Sequence, residues 1–168
     1  NDFKTDFFPI PEPLIFGEAT RVMSLRDGSK KMSKSDPSDY SRIMLTDSAD
    51  NIAQKIKKAK TDPQPLPSTK EDLKQRPEAE NLISIFASLQ NSSIENIISE
   101  YAGKEFSDFK KDLIDLSVSK LGPITTEMNK LMTDISYIDS VLNEGKDKAI
   151  NVAEPVLRKT KEIIGFLS

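Results

Sequence analysis

One short run holds most of the side chains that could do chemistry: Lys30-Lys31-Met32-Ser33-Lys34-Ser35, followed by Asp36-Pro37. It sets three ammonium groups and two hydroxyls on a stretch without a bulky β-branched residue, which is the composition of a loop. A lysine ammonium is a compact charge on a flexible stem, suited to following a phosphate whose charge changes during a reaction. A generic lysine–serine run reads as a solvated surface. The pentapeptide KMSKS, however, arises by chance in a chain of this size roughly once in ten thousand times.

What the chain lacks narrows the chemistry further. Its 168 residues include no Cys and no His. That removes disulfides, thiolate nucleophiles, Cys-based zinc and iron–sulfur sites, the usual general base and the commonest transition-metal ligand. Any catalysis must work by positioning and charge. The composition is 36% hydrophobic and 30% charged with a net charge of −3, that of a globular domain rather than a disordered chain or a membrane span. Neither a secretory nor a transmembrane segment is visible, and the cytoplasm is the default compartment.

Three further groups of residues compete for a role. Between Arg26 and Lys60 nine basic residues face five acidic ones, so this stretch carries +4 and the remainder −7. Lys55, Lys57, Lys58 and Lys60 within it could form a phosphate-facing stripe or simply the solvated face of a helix. Phe86, Tyr101, Phe106, Phe109, Tyr137 and Phe166 could stack on bases, but helical spacing with leucines favours core, with Tyr137 the least committed. Asp108, Asp112 and Asp115 lie on one helical face, yet Lys110 and Lys111 beside them favour a solvated surface. No protein metal site is assigned to them or to Asp36 and Asp39.

The elements that must position the lysine run are mostly helical. Phe7 to Phe16, with prolines at alternate positions, is extended. Glu18 to Leu25 reads as one short strand ended by a turn at Asp27-Gly28. A polar loop spans Ser29 to Ser41, and Ile43 to Leu45 is a second short extended piece. A helix capped by Asp47 or Ser48 runs to about Lys60, with Ile52, Ile56 and Ala59 inward. Thr61 to Pro77, with its four prolines, is a linker. Pro77 starts a helix through Leu82, Phe86 and Leu89, and Ser93 opens another that Gly103 closes. A long helix from Phe106 bends at Gly122-Pro123 and continues to Ile135, and a last helix covers about Lys146 to Ile164 despite Pro155.

Set in this order, the motifs resemble a known family. KMSKS is the second signature of class I aminoacyl-tRNA synthetases. Arg21-Val22-Met23-Ser24-Leu25, Asp27 and KKMSKSDP are together similar to the tryptophanyl-tRNA synthetase family. IKKAKTD (Ile56 to Asp62), NLISIF (Asn81 to Phe86), FKKDL (Phe109 to Leu113), LGPI (Leu121 to Ile124) and EGKDKA (Glu144 to Ala149) follow in the order of that family's C-terminal half. The tyrosyl-tRNA synthetase family is the near alternative, and a non-catalytic helical RNA-binding module or a protein-interaction bundle the remoter ones.

The resemblance implies a mainly α fold. Residues 1–46 would be the C-terminal edge of a class I Rossmann-type catalytic domain, a short strand plus the KMSKS loop. Residues 47–168 would be an α-helical bundle that binds the anticodon. It implies activation of L-tryptophan by ATP, with Mg2+ carried on the nucleotide's phosphates, and transfer to tRNA(Trp) by a homodimer that touches no membrane. Lys31 and Lys34 would contact the ATP phosphates, Lys34 most directly in the transition state. Met32, Ser33 and Ser35 would complete the loop, and the Val22 backbone would approach the adenine or ribose. The family's other signature, HIGH, and its amino-acid pocket are not found here, so the chain reads as about half of an enzyme. The 168 residues alone should therefore give no tryptophan-dependent ATP–pyrophosphate exchange above background, and turnover in that assay would contradict the assignment.

Overall fold

The computed structural model describes residues 3–15 and 20–166 of the chain. Two compact units are distinguished, residues 15–129 and residues 1–14 with 130–168. Six helices and one hairpin are described: β1 (Met23–Ser24), β2 (Asp27–Lys31), α1 (Ala49–Lys57), α2 (Lys70–Lys74), α3 (Pro77–Gln90), α4 (Ile94–Tyr101), α5 (Phe106–Met132) and α6 (Ile135–Ile164). The mainly α fold expected from the sequence is the one observed.

The hairpin departs from expectation in an informative way. Phe16 to Ala19, and with them the start of the expected strand at Glu18, lie outside the described residues. Strand geometry is confined to Met23 and Ser24, which pair antiparallel with β2 through Met23↔Lys31 and Ser24↔Asp27, with an irregularity between. The turn falls at Leu25-Arg26, not at Asp27-Gly28. Leu25 is buried in the core, its N–H donates to Ser41 O at 2.9 Å, and its carbonyl accepts from Lys60 N at 2.7 Å. Gly28 serves close approach instead. A Cβ there would sit 2.5 Å from the carbonyl carbon of Pro77 and 2.6 Å from Glu78 N, inside the first turn of α3. The first residues of the expected polar loop, Ser29 to Lys31, are thus strand, whereas Ile43 to Leu45 form none.

Helix ends follow the capping residues. Ser48 accepts from Asn51 N at 3.2 Å to open α1, and Ser93 accepts from Asn96 N at 3.2 Å to open α4. α1 ends at Lys57 rather than Lys60, since Ala59 is buried and the Lys60 N–H turns to the hairpin. The expected linker Thr61 to Pro77 contains α2. There Thr69 caps Asp72 N at 3.1 Å and Leu73 is fully buried, while Leu66 exchanges backbone hydrogen bonds with Gly103 and Lys104. Prolines stiffen this segment without freeing it from the core.

Residues on both sides of position 46 share one core in the 15–129 unit. Leu25 packs there with Ile52 and Ile56 of α1, Leu82, Ile83 and Phe86 of α3, Ile97 and Tyr101 of α4, and Phe109 and Leu113 of α5. Phe86, Tyr101 and Phe109 form a mutual aromatic trio with centroids 5.0–5.4 Å apart, so these rings, like the buried Phe106, are core. Tyr137 and Phe166 are exposed.

α5 continues unbroken through Gly122 and Pro123, and α6 begins eleven residues before the expected Lys146, capped by Asp134, which accepts from Tyr137 N at 3.0 Å. Gly145 and the β-branched residues before it weaken the local helix signal without preventing the helix. α6 buries no residue fully, and Val152 is 74% exposed. Gly28→Ala is expected to cost about 1–3 kcal/mol or more, because backbone rather than a flexible side chain must yield. Urea unfolding monitored by circular dichroism measures this, and an unchanged midpoint would contradict the close-packed docking of the hairpin.

Candidate functional site

The KMSKS residues extend from the free end of the hairpin. Lys31 closes β2 and is exposed. Met32 is half-buried against the core, and its N–H donates to Val22 O at 3.1 Å. Ser33, Lys34 and Ser35 then form a small turn held by local bonds: Ser35 N to Ser33 Oγ at 3.3 Å, Asp36 N to Ser33 O at 3.3 Å, and the two serine hydroxyls 3.1 Å apart. Lys34 stands exposed in that turn. Among the described residues, neither the Lys31 nor the Lys34 ammonium has an ion-pair or hydrogen-bond partner, whereas that of the neighbouring Lys30 pairs with Asp27 at 3.3 Å. Val22 and the loop are joined through backbone, and one lone pair of the Val22 carbonyl remains open beyond the Met32 bond.

The far side of the loop is fixed by charge. Arg42 donates to the carbonyls of Asp36 at 3.0 Å and Ser38 at 3.2 Å, closing the segment after the turn. Lys55, whose side chain is only 4% exposed, reaches from α1 to Asp47 at 2.6 Å and to Asp39 at 2.9 Å. Burial alone would lower the pKa of this ammonium. The hydrogen bonds and charges of the two carboxylates outweigh it and hold the pKa above the ordinary 10.5. The hydrogen bond from Lys55 in turn holds Asp39 below its ordinary 3.8.

Lys55, Lys57, Lys58 and Lys60 form neither a continuous phosphate-facing stripe nor a uniformly solvated face. Lys55 is internal. Lys58 donates to the Tyr40 hydroxyl at 3.2 Å and sits 4.4 Å from the ring centroid, and Lys60 pairs with Glu78 at 2.8 Å. Helical spacing could not reveal this, because the partners come from the loop and from α3. Lys57 instead shares a groove of about 560 Å³ with Lys110, Lys111, Phe106 and Ile114, a grouping absent from linear sequence. Burial lowers the pKa of Lys110, whose ammonium donates to the carbonyls of Ala59 at 2.7 Å and Lys57 at 3.3 Å.

Of the acidic residues, Asp108 pairs with Lys111 at 2.9 Å, and Asp112 accepts from the Tyr101 hydroxyl at 2.8 Å. Burial, then that hydrogen bond, raise the Tyr101 pKa well above its ordinary value. Among the described residues no group of three or more Asp or Glu is placed to hold a metal ion.

A loop with two unpaired ammonium groups, Lys31 and Lys34, and two exposed hydroxyls, carried on a hairpin docked to helices, has the chemistry to bind a polyphosphate. Residues 1–122 match the family of class I tRNA synthetases (W and Y), and the chain belongs to that family. Within it, similarity is to tryptophan–tRNA ligases. That of Rhizobium meliloti (strain 1021) is 58% identical over 161 residues, covering 96% of this chain and 46% of the relative. That of Rickettsia bellii (strain RML369-C) is 46% identical over 165 residues, covering 98% and 49%. The chain thus spans about half the length of these relatives. The crystal structure of tryptophanyl-tRNA synthetase from Mycoplasma pneumoniae superposes with a TM-score of 0.74 at 24% identity, over 90% of this chain and 47% of that one, and so has the same fold.

The Lys55 cluster makes a definite pH statement. Lys55, with its pKa raised on folding, contributes stability that is fully present below its unfolded value and is lost as pH rises through the raised one. Asp39, with its pKa lowered, contributes stability present above its unfolded value and lost as pH falls through the lowered one. Asp47→Ala leaves the ammonium with only the exposed Asp39 and should cost about 3–5 kcal/mol at neutral pH by urea unfolding. Asp39→Asn should cost far less and lose its effect once the pH drops below the native Asp39 pKa. Equal losses from the two variants would contradict this division.

Proposed function

We propose that this chain is the C-terminal portion of a tryptophan–tRNA ligase and supplies its ATP phosphate-binding loop and RNA-binding helices. The observation that carries the reading is the pair Lys31 and Lys34, exposed and unpaired on a segment held at both ends. In the reaction proposed, a tryptophan carboxylate oxygen attacks the α-phosphorus of ATP. The bond from that phosphorus to the bridging oxygen breaks, and pyrophosphate leaves with its Mg2+. The adenylate's carbonyl is then attacked by a hydroxyl of the terminal adenosine of tRNA(Trp), and AMP departs.

Neither step needs a nucleophile or base from these residues, which suits a chain without His or Cys. Catalysis rests on alignment and on neutralising charge as it builds on the leaving pyrophosphate. Lys31 and Lys34 bind the β- and γ-phosphates, and Lys34, at the turn, follows the charge as the bond breaks. Ser33 and Ser35 can donate hydroxyl hydrogen bonds to the same oxygens, Met32 seats the loop on the core, and the Val22 backbone faces the nucleoside. Residues 1–46 act with the catalytic domain and residues 47–168 with tRNA, although the two stretches share a core. Among the cations around this groove, exposed Lys57 is the one proposed to meet RNA phosphates, since Lys110 is held by two carbonyls and Lys111 by Asp108. Among the described residues no helix is long and apolar enough to cross a membrane. In this reading the complete protein works in the cytoplasm, where its tRNA substrate is used, and as a homodimer.

In the complete gene product, Lys34→Ala should lower tryptophan-dependent ATP–pyrophosphate exchange by about a hundredfold or more, as for loss of one preorganised transition-state donor. Filter binding of tRNA should change little. Weakened tRNA binding with normal exchange would instead indicate an RNA-binding module, and faster exchange with tyrosine than with tryptophan would overturn the substrate.

A further inference from the structure

We infer that Asn81, on α3, is a positioning residue for the ATP loop, acting through the backbone of β1. The inference rests on the proposed function, since it assigns to that loop a support the sequence does not reveal. Asn81 is 5% exposed, in the second turn of a helix whose neighbouring buried positions are apolar. Its amide is engaged by the backbone of two consecutive hairpin residues, chiefly Met23. Oδ1 accepts from Met23 N at 2.9 Å, Nδ2 donates to Met23 O at 2.9 Å, and Ser24 O lies 3.5 Å from the same nitrogen. A side-chain amide here imitates a neighbouring β-strand, meeting the donor and acceptor on the β1 edge that β2 does not reach.

Met23 is the residue through which this contact reaches the site. It is the ladder partner of Lys31, and the residue before it, Val22, receives the N–H of Met32. Asn81 therefore fixes the strand between the proposed nucleoside contact and the first phosphate-binding lysine. Two other contacts of α3 support the same hairpin: the approach of Gly28 to Pro77, and Glu78, which pairs with Lys60. Lys60 N in turn donates to Leu25 O. Core packing alone gives no reason for an amide at position 81. An apolar residue would fill the space without the cost of burying polar atoms, but would leave the Met23 N–H and carbonyl unsatisfied. The amide sets the height and tilt of the strand, and with them where Lys31 and Lys34 meet the β- and γ-phosphates.

The test uses the complete gene product in tryptophan-dependent ATP–pyrophosphate exchange, with Asn81→Ala, Asn81→Asp, and Ile97→Val as a core variant on α4 that lowers the Tm without touching β1. Asn81→Ala should raise the KM for ATP roughly tenfold while the KM for tryptophan stays within about twofold. Asn81→Asp keeps the acceptor for Met23 N but sets an acceptor-only carboxylate oxygen against the Met23 and Ser24 carbonyls, so it should raise the KM for ATP at least as much as Ala. Ile97→Val should leave the KM for ATP unchanged. An unaltered KM for ATP in Asn81→Ala, or a rise matched by tryptophan and by Ile97→Val, overturns the inference. Should the alanine variant not fold, the split between the two KM values in Asn81→Asp decides it. Wild-type exchange abolished by Lys34→Ala supports the functional reading whatever Asn81 does, whereas no exchange by the wild type overturns that reading and this inference with it.

Discussion

Backbone lies directly on backbone where Gly28 meets the first turn of α3, and the geometry of the loop depends on that contact. A side chain at position 28 would meet the backbone of Pro77 and Glu78 and hold the hairpin away from the helix. With no side chain there, Asn81 can reach Met23 and Lys60 can reach Glu78. The strand is only two residues long and could not hold itself in place; a two-stranded ribbon is marginal in water without something to pack on. The helices supply that support. A short, irregular hairpin is sufficient because its orientation is set from outside.

Charge is divided along the same line. Lys55 and Lys60 are drawn into pairs that join the loop, α1 and α3, while Lys58 lies on Tyr40. These cations build the support. Lys31 and Lys34 are left in water, where an ammonium retains its hydration until a polyanion displaces it. Had the exposed lysines found carboxylates nearby, as Lys30 finds Asp27, an incoming phosphate would first have to break those pairs.

The sequence made some of this legible and could not make the rest so. The α3 and α4 stripes, the Ser48 and Ser93 caps and the aromatic core all rest on local periodicity or local capping chemistry, which a linear reading sees. The hairpin turn was misplaced because Asp-Gly is the commoner turn signal, while the reason for Gly28 lies nearly fifty residues away at Pro77. The first half of α6 was missed because Gly145 and β-branched residues interrupt its propensity. Among the site residues, the KMSKS run could be identified by its improbability alone. Lys55 could not be separated from Lys57, since both lie on one short helix and only the fold shows which of them faces Asp47. Asn81 reads in sequence as one polar position of a helical segment, and its amide acquires meaning only when Met23 is placed opposite.

Met32 is the one apolar letter in the pentapeptide, and its half-burial has a mechanical consequence. An unbranched thioether with three rotatable bonds can slide over an apolar surface and keep its contacts where a branched side chain would have to leave its socket. The turn beyond it is closed locally by bonds among Ser33, Ser35 and Asp36, and Arg42 holds its far end at the Asp36 carbonyl. The two features together give a self-shaped tip on a compliant bearing: the turn can shift as a unit while Met32 keeps its contact with the core.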